Sequence, residues 1–161
     1  MPNPEILKGK RFLVVDDEKD VLETIREQLP DSDVKTSTTF KDAQQLIHSQ
    51  KFDLVILDIM GVDGFDLLKE CRQENLPAAM LTAHSITIES INKSMKLGAV
   101  SFLPKEELSR LSELLAEILS DLSEGKAHWK KLFQRLGPFF KDRLGLTWDD
   151  LEKVPSPPYR Y

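Results

Sequence analysis

A fivefold alternation constrains this chain more than any other feature. Five short apolar runs, Phe12–Val15, Val34–Thr38, Leu54–Leu57, Ala78–Leu81 and Val100–Leu103, are each followed by a longer stretch with helical spacing. Apolar runs of this length, rich in β-branched residues, suit buried strands. The helical stripes are Val21, Leu22, Ile25 and Leu29, then Phe40, Ala43, Leu46 and Ile47, then Phe65, Leu68 and Cys71, then Ile88, Ile91, Met95 and Leu97. The fifth carries Leu108, Leu111, Leu114, Leu115, Ile118, Leu119 and Leu122, apolar on one face and charged on the other. Strict βα alternation predicts an α/β fold, a doubly wound five-stranded parallel sheet covered on both faces and joined by right-handed crossovers. The second run is the least hydrophobic and belongs near a sheet edge.

The alternation ends at residue 122, which divides the chain into an α/β domain over residues 1–122 and an extension over residues 123–161. In the extension Trp129, Leu132, Phe133 and Leu136 recur at helical spacing, Gly137-Pro138 breaks that helix, and Val154–Tyr159 forms an extended proline-rich tail. No apolar run approaches the roughly 18 residues that span a bilayer. Residues 1–10 lack the apolar core of a secretory signal. The single cysteine, Cys71, excludes an internal disulfide and suits a small core position. A cytoplasmic protein is expected. Charge is uneven: residues 1–125 carry 14 Lys and Arg against 23 Asp and Glu, a net −9, whereas residues 126–143 carry six against one. An acidic body argues against broad nucleic-acid binding, which neutralises phosphates with cations.

In open parallel sheets, ligands bind beyond the carboxyl ends of the strands, where the strand order reverses. The residues just past these ends are Asp16-Asp17-Glu18, Asp58, Thr82-Ala83 and Lys105. Converging carboxylates repel one another, so a hard divalent cation with oxygen ligands is their natural counter-ion, and Mg²⁺ suits few carboxylates plus water. A carboxylate is also a nucleophile toward phosphorus, and phosphoryl transfer asks chiefly for positioning and charge neutralisation. Thr82 offers a hydroxyl and Lys105 a compact positive charge for the phosphoryl oxygens.

The motifs FLVVDDEKD, LVILDIMGVDG, MLTA and GAVSFLPKEEL, in this order and at these strand ends, resemble the receiver domains of two-component response regulators over roughly residues 10–122. The resemblance implies the flavodoxin-like strand order 2-1-3-4-5. It implies that Asp58 is the phosphoacceptor, Asp17 a direct Mg²⁺ ligand, Asp16 a ligand through water, and the Met60 backbone carbonyl another ligand. Thr82 and Lys105 would bind the phosphoryl group, and Thr82 and Phe102 would form the switch pair. The implied partner is a sensor histidine kinase or a phosphotransfer protein. Two departures stand out. The loop Asp58–Gly64 is about two residues shorter than the family's form and lacks its proline, with Gly61 expected to close it through tolerance of φ > 0. Pro104 precedes Lys105 rather than following it, so no cis bond is expected after the lysine.

Two other readings compete. An aspartate-nucleophile phosphatase needs a general acid two residues after the nucleophile, where Met60 stands and cannot transfer a proton. A degenerate receiver, acting as a fixed interaction module, would not need the full set Asp16, Asp17, Asp58, Thr82 and Lys105. Met60 also offers nothing to orient an attacking water, so slow hydrolysis of an acyl phosphate is expected, with His84 as the nearby polar substitute. The aromatic stripe of the extension is expected to pack on the receiver, in the same subunit or a second one (a homodimer), or else to meet a separate partner. No DNA-binding domain is evident in what remains.

Overall fold

The computed structural model describes residues 4–83 and 87–125. Its strands are β1 (Arg11–Val15), β2 (Asp33–Ser37), β3 (Leu54–Asp58), β4 (Ala78–Thr82) and β5 (Ser101–Pro104). They form one parallel sheet in the order β2-β1-β3-β4-β5. The helices between and after them are α1 (Lys19–Gln28), α2 (Phe40–Ser49), α3 (Gly64–Gln73), α4 (Ile88–Lys96) and α5 (Leu111–Ser123). This is the predicted doubly wound architecture, with the least hydrophobic strand at an edge.

Alternation along the strands divides the core into two layers. Leu13, Val15, Val55, Leu57, Met80 and Phe102 meet the residues of α2, α3 and α4 on one face. Phe12, Val14, Leu54, Ile56, Leu81 and Leu103 meet α1, α5 and a 3₁₀ turn at Pro4–Leu7 on the other. All five residues of β3 and all five of β4 are buried, as continuous apolar runs between two helical layers require. Cys71 is fully buried in the first layer, and burial pushes its thiol pKa far up, which leaves it inert.

Register brings the functional ends level. Val15 pairs with Leu57, Asp58 with Leu81 and Thr82 with Pro104. The residues that follow β1, end β3 and β4, and follow β5 therefore meet along one rim. Helices α2 and α4 begin on ordinary threonine caps, Thr39 accepting from the Asp42 N–H and Thr87 from the Ser90 N–H. Helices α1, α3 and α5 begin without a side-chain cap hydrogen bond.

Element ends differ from the sequence expectation in a few places. Strand β2 begins at Asp33 and β5 at Ser101. The fifth helical stripe is divided: a 3₁₀ turn over Lys105–Arg110 precedes α5, with Leu108 buried inside it. Spacing of three, as in Leu108 to Leu111, satisfies both helix types, so periodicity alone does not separate them. The 3₁₀ turn at Pro4–Leu7 had no periodic signal. The expected helix with Trp129, Leu132, Phe133 and Leu136, the proline-rich tail and His84 lie outside the described residues. Among the described residues no helix is long and apolar enough to cross a membrane.

Candidate functional site

Asp16 follows β1 directly and is fully buried. Its Oδ1 accepts a hydrogen bond from the Glu18 N–H at 2.8 Å, which turns the chain into α1. Its Oδ2 is buried and accepts no hydrogen bond, although the Lys105 ammonium stands 3.1 Å away as an ion pair. Burial raises the Asp16 carboxyl pKa above its ordinary value and the nearby Asp58 charge adds to this, while the Glu18 N–H and Lys105 oppose it.

Asp58 closes β3 and is nearly buried. Its Oδ1 lies 3.5 Å from Lys105 Nζ and its Oδ2 accepts from the Gly61 N–H at 3.0 Å. Lys105 also reaches Glu18 Oε1 at 3.2 Å. Burial by itself would lower the lysine pKa, but Asp16, then Asp58 and Glu18, outweigh it, and the ammonium is held charged above its ordinary range. One cation thus joins residues that follow β1 and β5 to the end of β3.

The Asp16, Asp17 and Glu18 carboxylate oxygens lie within 4.8 Å of one another. A Cβ placed on Gly61 would overlap oxygens of both the Asp17 and Asp58 carboxylates, so these two groups are neighbours across that glycine. The donor set is all oxygen and anionic, and includes a buried oxygen without a hydrogen bond. This fits a small hard cation such as Mg²⁺.

The shortened loop corrects one expectation. Gly61 does not adopt positive φ; the left-handed residue is Asp63, at φ 53°, just before α3. Gly61 is needed for space, because the two carboxylates occupy the volume of a side chain. Gly64 is likewise pressed against the Asp58 backbone carbonyl, and its N–H donates to the Ile59 carbonyl at 3.2 Å. The Met60 side chain is 78% exposed beside the site. In a trans peptide the N–H and C=O point in opposite directions. With the Gly61 N–H aimed at Asp58 Oδ2, the Met60 carbonyl is therefore directed away from that oxygen.

Thr82 is buried, and its hydroxyl makes a long 3.5 Å contact with the Leu103 carbonyl on β5. Phe102, the residue before Leu103, is buried in the layer that holds Ile91 and Met95 of α4. No cis peptide bond occurs among the described residues. The residue that sequence reasoning left without a role is Glu18, which holds Lys105 at the rim. Its place as the third acid of Asp16-Asp17-Glu18 was visible, but nothing in the sequence paired it with a lysine 87 positions later.

Comparison with known proteins agrees with this geometry. The family model described as the response regulator receiver domain matches residues 12–118. The response regulator protein PilR of Pseudomonas aeruginosa is 33% identical over 120 residues, covering 70% of this chain and 27% of PilR. The alkaline phosphatase synthesis transcriptional regulatory protein PhoP of Bacillus subtilis is 32% identical over 131 residues, covering 73% of this chain and 54% of PhoP. The chain thus spans about a quarter and about half of these curated relatives. Among solved structures, the signal receiver domain of a Luxo repressor protein from Vibrio parahaemolyticus superposes with a TM-score of 0.63 at 26% identity, covering 70% of this chain and 91% of that one.

Proposed function

The chain belongs to the response regulator receiver domain family, and from that premise we propose that it accepts a phosphoryl group on Asp58 with Mg²⁺ and changes conformation to control a partner or its own association. The observation that carries this reading is the bridge made by Lys105 between Asp16 and Asp58, beside an acidic cluster with the oxygen chemistry of a Mg²⁺ site.

In this reading an Asp58 carboxylate oxygen attacks phosphorus, forming the acyl phosphate bond as the bond to the donor's leaving group breaks. Lys105 pairs with one phosphoryl oxygen and the Thr82 hydroxyl donates to another. Asp17 and Asp58 would hold the metal directly and Asp16 through water. The Met60 carbonyl would join them only with the Met60–Gly61 peptide turned out of its bond to Asp58. A Mg²⁺ ion held by these residues would supply neutralisation of the charge that gathers on the transferring group.

Recruitment of the Thr82 hydroxyl to the phosphoryl group would break its contact with the Leu103 carbonyl and loosen β5 beside Phe102. That supports Thr82 and Phe102 as the switch pair. The family supports a sensor histidine kinase or a phosphotransfer protein as the donor, and the cytoplasm as the place. The phosphatase reading lacks its general acid, because an exposed thioether stands at position 60. A fixed module would not require five polar side chains gathered on one rim.

Beryllofluoride, a mimic of an acyl phosphate, tests the reading. With Mg²⁺ it should raise the melting temperature of the wild-type chain, since a ligand bound only to the folded state stabilises it. Asp58→Asn should abolish the shift. An equal shift in that variant, or no shift in the wild type, would overturn the assignment.

A further inference from the structure

Among the described residues Met60 is the one large hydrophobic side chain left exposed, at 78%, whereas Met80 and Met95 are buried in the core layer beneath α2, α3 and α4. A single exposed apolar side chain is commonplace on a protein surface, so exposure alone assigns it nothing. Its neighbourhood does. The Gly61 N–H donates to Asp58 Oδ2 at 3.0 Å, and two covalent bonds join that nitrogen to the Met60 α-carbon. The α-carbon therefore stands within about 5.5 Å of the carboxylate oxygen. The thioether lies further along an unbranched chain with three rotatable bonds, long enough to reach over Asp58 or out into water.

A thioether is oxidised where a peroxide can reach it, which puts Met60 ahead of the buried Met80 and Met95. The sulfur attacks one peroxide oxygen, an S–O bond forms as the O–O bond breaks, and the second oxygen leaves as water. Sulfur is oxidised by two electrons and the peroxide is reduced by two. The product is a sulfoxide, polar and strongly hydrogen-bond accepting where the thioether was apolar and only a weak acceptor.

We propose that Met60 is a site of reversible oxidation by peroxides, and that its sulfoxide shortens the life of the phosphorylated state by holding a water beside Asp58. The proposal rests on the reading of Asp58 as the phosphoacceptor. The sulfoxide oxygen accepts a hydrogen bond from that water and turns a lone pair of the water toward phosphorus. The water oxygen bonds to phosphorus as the bond to the Asp58 carboxylate breaks, and the proton passes to the released orthophosphate. An unmodified thioether leaves the water unoriented, so oxidation converts a long-lived signal into a short-lived one. A methionine sulfoxide reductase resets it with a dithiol, which becomes a disulfide as the sulfoxide oxygen leaves in water.

In the test, the full chain is treated with hydrogen peroxide, freed of oxidant, and phosphorylated with acetyl phosphate and Mg²⁺. Peptide masses should place an added oxygen on Met60 before Met80 or Met95 gains one. Decay of the phosphorylated form, followed by intact mass after removal of the donor, should be about three- to tenfold faster than in the untreated chain, part of the roughly 10²-fold scale attributed to positioning. Met60→Leu keeps an apolar side chain but cannot form a sulfoxide, so the same treatment should leave its decay unchanged. A methionine sulfoxide reductase with dithiothreitol should return both mass and lifetime to their starting values. The rise in melting temperature with beryllofluoride and Mg²⁺ should persist in the oxidised chain, because the site itself is intact.

Oxidation of Met80 or Met95 ahead of Met60 would overturn the proposal. So would a peroxide effect that survives in Met60→Leu, a lifetime that the reductase does not restore, or loss of the beryllofluoride response, which would mean general damage to the site. An untreated chain that takes no phosphoryl group would overturn the reading of Asp58 and this inference together. Normal phosphorylation with a lifetime indifferent to oxidation would overturn this inference alone.

Discussion

Lys105 Nζ stands 3.5 Å from Asp58 Oδ1, a contact between the turn after β5 and the end of β3 that also takes in the buried Asp16 at 3.1 Å. The lysine is the shared counter-charge of two carboxylates held out of water. Lys105→Ala should therefore destabilise the protein by about 1–3 kcal/mol, less than the roughly 3–5 kcal/mol for a fully buried pair because the ammonium keeps some solvent. Urea unfolding measures this, and added Mg²⁺ should recover more stability in the variant than in the wild type. Equal Mg²⁺ responses would argue that the lysine and the metal do not share the same carboxylates.

Gly61→Ala forces a methyl group into the space between the Asp17 and Asp58 carboxylates. Overpacking of this kind costs typically about 1–3 kcal/mol. Here it also separates the two acids assigned to the metal. Mg²⁺ affinity by calorimetry should fall at least tenfold in the variant. Unchanged affinity would place the ion elsewhere on the acidic rim.

His48 on α2 spans two acids of α3, with Nε2 2.8 Å from Glu70 and Nδ1 2.8 Å from Glu74. Glu70, then Glu74, raise its pKa above the ordinary 6.5, against a small opposing effect of burial. A raised folded-state pKa means that protonation favours the folded state. This stabilisation is complete below the unfolded value of 6.5 and fades as pH rises through the higher folded value. Melting temperature should decline from pH 6 toward pH 8 in the wild type, and His48→Gln should flatten that decline. An identical pH profile in the two proteins would contradict the assignment.

Met60 leaves no hydrogen-bonding side chain two residues past Asp58 to orient a hydrolytic water. Met60→Asn should shorten the lifetime of the phosphorylated form, by up to the 10²-fold scale attributed to positioning. The decay of phosphorylated protein, followed by mass after removal of the donor, measures it. Equal lifetimes would show that water is oriented by another group.

Much of this fold is legible in the sequence because it rests on periodicity. The apolar runs in β1, β3 and β4 are buried on both faces, so their pattern carries the parallel sheet directly. The positions of Asp16, Asp58, Thr82 and Lys105 follow from the same logic, since each falls at a strand's carboxyl end. Less legible was whatever depends on local geometry without a period. The division between the 3₁₀ turn at Lys105 and α5 is hidden by their shared spacing of three. The positive φ lies at Asp63 rather than Gly61, since the crowding at Gly61 comes from residues distant in sequence. The pairing of Glu18 with Lys105 likewise arises only once the chain is folded.

The most direct measurement is the intact mass of the full chain after incubation with acetyl phosphate, with and without Mg²⁺. The expected result is a gain of one phosphoryl group that requires Mg²⁺ and is absent in Asp58→Asn. A mass unchanged under these conditions, or a gain that persists in Asp58→Asn, would contradict phosphoryl acceptance at this site.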